Sequence, residues 1–150
     1  MLGRLRPARG STSCSPCATA GKVLPALVTT AVGTRGLFAV TCGARPRKLM
    51  TSFFGSRFDG SAGMALGLLF AGADAALGYG THRSRNSPAP LARWLWAGAG
   101  IDLVHFVFAA TNRDAGPGRR RATAAMIGAL AATGAVMAHV SAKADDPGPP

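Results

Sequence analysis

Five ionisable side chains interrupt otherwise apolar stretches of this sequence: Arg35, Asp74, Asp102, His105 and His139. Arginine and aspartate can neutralise each other, and histidine can take up and release a proton near neutral pH. In water such residues would need no comment. Inside a stretch long enough to cross a bilayer they are costly, so they are expected to face protein and to pair. Two kinds of chemistry follow: structural cross-links that fix helix order, or a polar path for protons.

Other chemistry has little to stand on. The chain contains no glutamate, no H-E-x-x-H, no P-loop and no G-x-S-x-G. Ser, His and Asp occur, but at no spacing that implies a triad. Cys14 and Cys17 form a lone C-x-x-C, and Cys42 is the only other cysteine, too few for a zinc ribbon or a disulfide scaffold. The expectation is a non-enzymatic protein with no catalytic, cofactor-binding or metal-ligating residues and no cofactor.

The elements that carry the five residues read as helices in lipid. Hydrophobic residues make up 48% and charged residues only 15%, with a mean hydropathy of +0.21. Soluble domains usually carry nearer a quarter charged residues. Four apolar stretches of membrane-spanning length stand out, at about 23–42, 61–79, 94–110 and 122–142. The fold class is therefore predicted as all-α, a four-helix transmembrane up-down bundle occupying 23–142. The fourth stretch is Ala-rich and the weakest of the set.

Flanking features complete this outline. Residues 1–22 are basic and rich in Ser, Pro and Gly, which predicts a disordered N-terminal tail, and 143–150 a disordered C-terminal one. Pro25 is placed in the first turn of the first helix, where its missing N–H does little harm. The segment 46–58 mixes basic residues with Leu49, Met50, Phe53, Phe54 and Phe58, as in a piece lying at the headgroup boundary. Asp59 or Ser61 is expected to cap the second span. Gly63, Gly67, Ala71 and Ala75 recur every fourth position there, a stripe that lets a neighbouring backbone approach. Trp94 and Trp96 open the third span at the depth where indole rings concentrate.

Levels within the spans predict which charges meet. Arg35, Asp102 and His105 are all displaced towards one side of an up-down bundle, within ~6 Å of depth at about 1.5 Å per residue. Asp102 and His105 also share a helix face with Gly98 and Ala109. Arg35 is thus expected to pair with Asp102, with His105 as a third member. Asp74 and His139 are displaced the other way and are expected to form a second polar layer.

The net charge of +11 does not point to nucleic acid, because the basic residues lie almost wholly between the apolar stretches. That distribution suits topology control and contact with anionic lipid, so the expected partner is the bilayer. A homo-oligomer or another membrane protein is the further possibility. Sidedness is close to a tie. Arg4, Arg6, Arg9, Lys22, Arg83, Arg85, Arg93 and Lys143 fall on one side, and Arg45, Arg47, Lys48, Arg57, Arg113 and Arg119–Arg121 on the other. Discounting the distant Arg4, Arg6 and Arg9 makes the second side cytoplasmic. The location implied is the cell membrane, with several passes.

From Arg35 onward the layout resembles a group of small uncharacterised bacterial four-helix integral membrane proteins. The residues that carry this are Arg35-Gly-Leu-Phe with Arg45-Pro46, Arg57-Phe-Asp59-Gly, Ala65-Leu-Gly-Leu-Leu and the run from Trp94 to Asp102. The resemblance covers about 23–142 and implies a multi-pass α-helical fold without bringing an activity. The 22-residue extension departs from that pattern. Two functional readings are carried forward. The first is an accessory or scaffold unit held by intramembrane Arg/Asp/His pairs, and the second a small proton-linked transporter or channel component.

Overall fold

The computed structural model describes residues 16–144, with side chains described from Val23 onward. Among these residues every regular element is helical: α1 (Pro16–Ala44), α2 (Pro46–Phe54), a 3-10 turn (Ser56–Phe58), α3 (Ser61–Arg83), α4 (Pro88–Ala110) and α5 (Pro117–Ala144). Residues 1–15 and 145–150, including Cys14, lie outside the description. α1 begins at Pro16, earlier than the expected 23, so the segment 16–22 is helical where a disordered tail was expected. Pro25 accordingly falls inside α1, not in its first turn.

Proline sets most of the helix starts. Pro16, Pro46, Pro88 and Pro117 each open a helix, where the fixed φ is helical and the missing N–H is one that no helical carbonyl would accept. Pro46 also ends α1, because it forces Arg45 out of the helical region, to φ −142° and ψ 57°. α2 ends at Gly55, whose φ of +104° is open to glycine and strained for other residues.

Three helices are long and apolar enough to cross a membrane: the 23–44 part of α1, α3 and α5. α3 has 23 residues, about 35 Å at the helical rise, against a hydrocarbon core of about 30 Å. α4 has the same length but is not among the three, since Arg93, Asp102 and His105 dilute its apolar run. The expected third span is thus the one that its charges keep out of this set, while the Ala-rich fourth stretch falls within it.

The long helices alternate in direction and pack as two hairpin-like pairs, α1 against α3 and α4 against α5. A looser α3–α4 contact joins the pairs, while α1 makes almost no close backbone approach to α4 or α5. α2 closes the end at which α1 and α4 finish and α3 and α5 begin. It does not lie simply along a boundary. Met50 and Phe54, one turn apart, point inward and are fully buried, while Arg47, Lys48 and Ser52 stay outside. Phe54 packs among Phe58, Phe70 and Phe108 at ring separations of 5.6–6.2 Å.

The loop after α4 locks this end. Asn112 is buried and its Nδ2 donates to the Phe53 carbonyl at 3.0 Å, while its Oδ1 accepts from the Asp114 amide. Asp114 in turn accepts a hydrogen bond from the Ser56 amide, and Arg119 donates to Ser52 Oγ at 3.0 Å. Hydrogen bonding from Ser56 holds the Asp114 carboxyl below the usual carboxylate range.

Glycine contacts refine the expected small-residue stripe of α3. A Cβ on Gly63 would collide with the Phe58 carbonyl, and one on Gly67 would lie 2.7 Å from Pro46 Cβ. These glycines admit α2 and the 3-10 turn, not a neighbouring long helix. Ala75 faces outward, and the buried stripe runs instead through Gly67, Phe70, Asp74, Leu77 and Thr81. The N-cap of α3 is Gly60, with no side-chain cap, so neither Asp59 nor Ser61 has the expected role.

Candidate functional site: an arginine shared by two aspartates beside an interior cavity

The centre of the structure is a single guanidinium joined to two carboxylates from two other helices. Arg35 Nη1 donates to Asp74 Oδ1 at 2.5 Å, and Nη2 donates to Asp102 Oδ2 at 2.7 Å. One residue thus ties α1 to α3 and to α4. Charge-assisted bonds of this kind are about twice as strong as neutral ones, and lipid or apolar surroundings leave them little competition.

Arg35 reaches Asp102 as expected, but Asp74 belongs to the same cluster and not to a second layer with His139. The reason is the direction in which helical side chains leave the backbone. Each Cβ tilts towards its own helix N-terminus. Arg35 and Asp102 therefore lean towards the end away from α2, while Asp74, on an antiparallel helix, leans back towards it. Added to the length of arginine, these tilts close a gap that counting Cα levels leaves open.

His139 stands elsewhere. The buried stripe of α5 runs through Ala124, Ile127, Gly134, Ala138 and Ser141, and His139 is one position off it, on the exposed surface. His105 is buried but does not join the cluster as the expected third member. Its ring sits among aromatics, 4.2 Å from Phe70 in an edge-to-face arrangement, 5.4 Å from Phe38 and 6.0 Å from Phe54. Its Nε2 has no hydrogen-bond partner. The i, i+3 offset from Asp102 moves the ring one turn towards α2, into the Phe54 cluster.

Glycine makes room for the guanidinium. A Cβ at Gly98 would lie 2.6 Å from Arg35 Nη2, so any larger residue there displaces the bond to Asp102. Gly78 lies against α1 with room for a methyl group, since its Cβ would meet Arg35 Cβ at an ordinary contact distance of 3.6 Å. Gly98 on the Asp102 face was visible in the sequence; its use as space for arginine was not.

A cavity of about 270 Å³ opens between the two helix pairs and is bounded at its polar end by Arg35, Asp74, Asp102 and His105. Its walls are otherwise mostly apolar, with Leu, Met, Ile, Phe and Trp side chains and a few threonines. Asp74 is 2% exposed, and its Oδ2 has no hydrogen-bond partner. Among the described residues no group of three or more His, Cys, Asp or Glu is placed to hold a metal ion. Thr29 on the outer face and Thr30, Thr34 and Thr133 along the cavity satisfy their hydroxyls within their own helix, each donating to the carbonyl four residues earlier. A polar residue can face hydrocarbon on those terms.

Comparison of the chain with family models, characterised proteins and solved structures finds no match.

Proposed function

We propose that this chain is a four-span integral membrane protein of non-enzymatic character, an accessory or scaffold unit whose helices are held in register by the Arg35–Asp74–Asp102 cluster. α4 is the fourth span. The observation that carries the reading is one guanidinium shared by carboxylates on two other helices, in a molecule with three helices apolar enough to cross a bilayer. Charges buried in lipid must find partners, and a three-helix ion cluster fixes both helix order and depth. α1 makes little close backbone approach to α4, and two things bridge them: an apolar cluster of Val28 with Leu91 and Leu95 at the end away from α2, and the Arg35–Asp102 bond. The basic residues around α2, Arg45, Arg47, Lys48, Arg57, Arg113 and Arg119–Arg121, suit anionic headgroups on one side of the membrane.

The cavity favours a second reading, a small proton-linked carrier or channel component, since unpartnered polar atoms border an interior space. One substitution separates the two. In a scaffold, Asp102→Asn weakens the cluster and lowers the amount of protein accumulating in the membrane. In a carrier it leaves accumulation normal and abolishes pH-dependent flux in reconstituted vesicles. The latter outcome would remove the scaffold reading.

A further inference from the structure

We propose that the cavity beside the Arg35 cluster is a binding site for an amphipathic organic monocation, a protonated amine carrying an apolar body. The inference rests on the membrane-bundle reading above and adds a ligand class to it.

Charge is the first ground. Two aspartates face one arginine at the polar end of the cavity, so the ionised cluster holds one negative charge that no described side chain balances. Unsatisfied acceptor capacity is the second. Arg35 occupies one oxygen of each aspartate; Asp74 Oδ2 is buried without a partner, and Asp102, whose side chain is 14% exposed, keeps its second oxygen free of protein donors. An ammonium group supplies both the missing charge and N–H donors. A neutral or anionic ligand supplies at most one of these.

The walls argue for an organic cation over a metal ion. Leu27, Trp94, Met126 and Leu130 line the cavity, and no cluster of metal ligands is present among the described residues. Aromatic faces also attract a cation, by about 0.5–2 kcal/mol, and Trp94 and Phe38 border the space.

Access points the same way. α1 and α5 stand on either side of the cavity with almost no close backbone approach, meeting through Val28, Met137 and Ala138 at the end away from α2. Leu27, Met126 and Leu130 at this gap are 39%, 53% and 43% exposed. In a bilayer such a mouth opens onto hydrocarbon, where amphipathic amines concentrate. The ligand arrives from the lipid and meets carboxylates at the cavity floor.

The test uses the full chain in nanodiscs of zwitterionic lipid, with empty nanodiscs subtracting partition into lipid. Three probes share one body: 2-phenylethylammonium, 2-phenylethanol and 3-phenylpropanoate. Calorimetric titration is expected to give one ammonium per chain, bound at least tenfold more tightly than the alcohol, with the carboxylate weakest. Asp102→Asn should weaken ammonium binding at least tenfold and leave the alcohol unchanged. Leu130→Trp fills the mouth without touching the ion cluster, so it decides the matter if Asp102→Asn does not accumulate; it should weaken all binding. Equal affinity for ammonium and alcohol, preference for the carboxylate, or indifference to Leu130→Trp each overturns the proposal. So does a second copy found covering the α1–α5 gap with no ammonium bound. A chain that stays dispersed without lipid or detergent breaks the bundle reading instead, and that result is scored before any titration.

Discussion

The α2 end of this molecule and its middle are held by different means. At the α2 end, buried rings and a loop lock do the work: Phe54 and Met50 fill the bundle, and Asn112 and Asp114 fasten α4's exit to α2 and its turn. Midway along, the helices separate around a cavity, and three charged side chains span the gap. Packing tolerates loss in proportion to the volume removed. An ion cluster does not, because removing one member leaves the others buried and uncompensated.

The sharpest way to break this contrast is Arg35→Ala. Two aspartates would then lie unpaired in the interior, and the expected loss is about 3–5 kcal/mol of stability. Reduced membrane accumulation and a lowered detergent-solubilised melting temperature would report it. Phe54→Ala should come next, with a loss of about 3 kcal/mol from cavity formation, read by the same melting experiment. That variant should keep the Arg35 bonds, since its effect is confined to the α2 end.

Gly80→Ala probes the end away from α2, where a Cβ would collide with the Trp94 ring. A loss of about 1–3 kcal/mol is expected from overpacking, with a change in Trp fluorescence that Trp94→Phe abolishes. Asp114 gives a smaller, pH-dependent effect. Its carboxyl is held below the ordinary value, so its contribution is complete above that value and is lost as pH falls through the lowered one. A protection factor for the Ser56 amide that falls on acidification in the natural chain, and is low and independent of pH in Asp114→Asn, would show it. His139→Gln, on the exposed face of α5, should change stability by no more than about 0.5 kcal/mol.

Much of the layout was legible in the residues. Apolar length located the long helices, but α4 and α5 begin at Pro88 and Pro117, ahead of the expected 94 and 122. Arg35 and Asp102 could be matched by level because both are displaced towards the same end. Asp74 could not, because counting residues locates Cα atoms and ignores how far and in which direction a side chain extends. His139 failed for a rotational reason: one position along a helix turns a side chain by about 100°, and Ala-rich α5 offers little contrast between its faces. The inward turn of α2 was within reach, since Met50 and Phe54 share a face at i, i+4 while Arg47 and Lys48 fall elsewhere. The cavity had no sequence signal, being a consequence of how two helix pairs diverge.

The most direct test compares Arg35→Met with the triple variant Arg35→Met/Asp74→Asn/Asp102→Asn, by thermal unfolding in the same detergent. If one guanidinium pairs with both buried carboxylates, the single variant should be far less stable than the natural chain. The triple variant should then recover most of that loss, because no uncompensated charge remains. A triple variant no more stable than the single one, or a single variant as stable as the natural chain, would contradict the shared-arginine cluster.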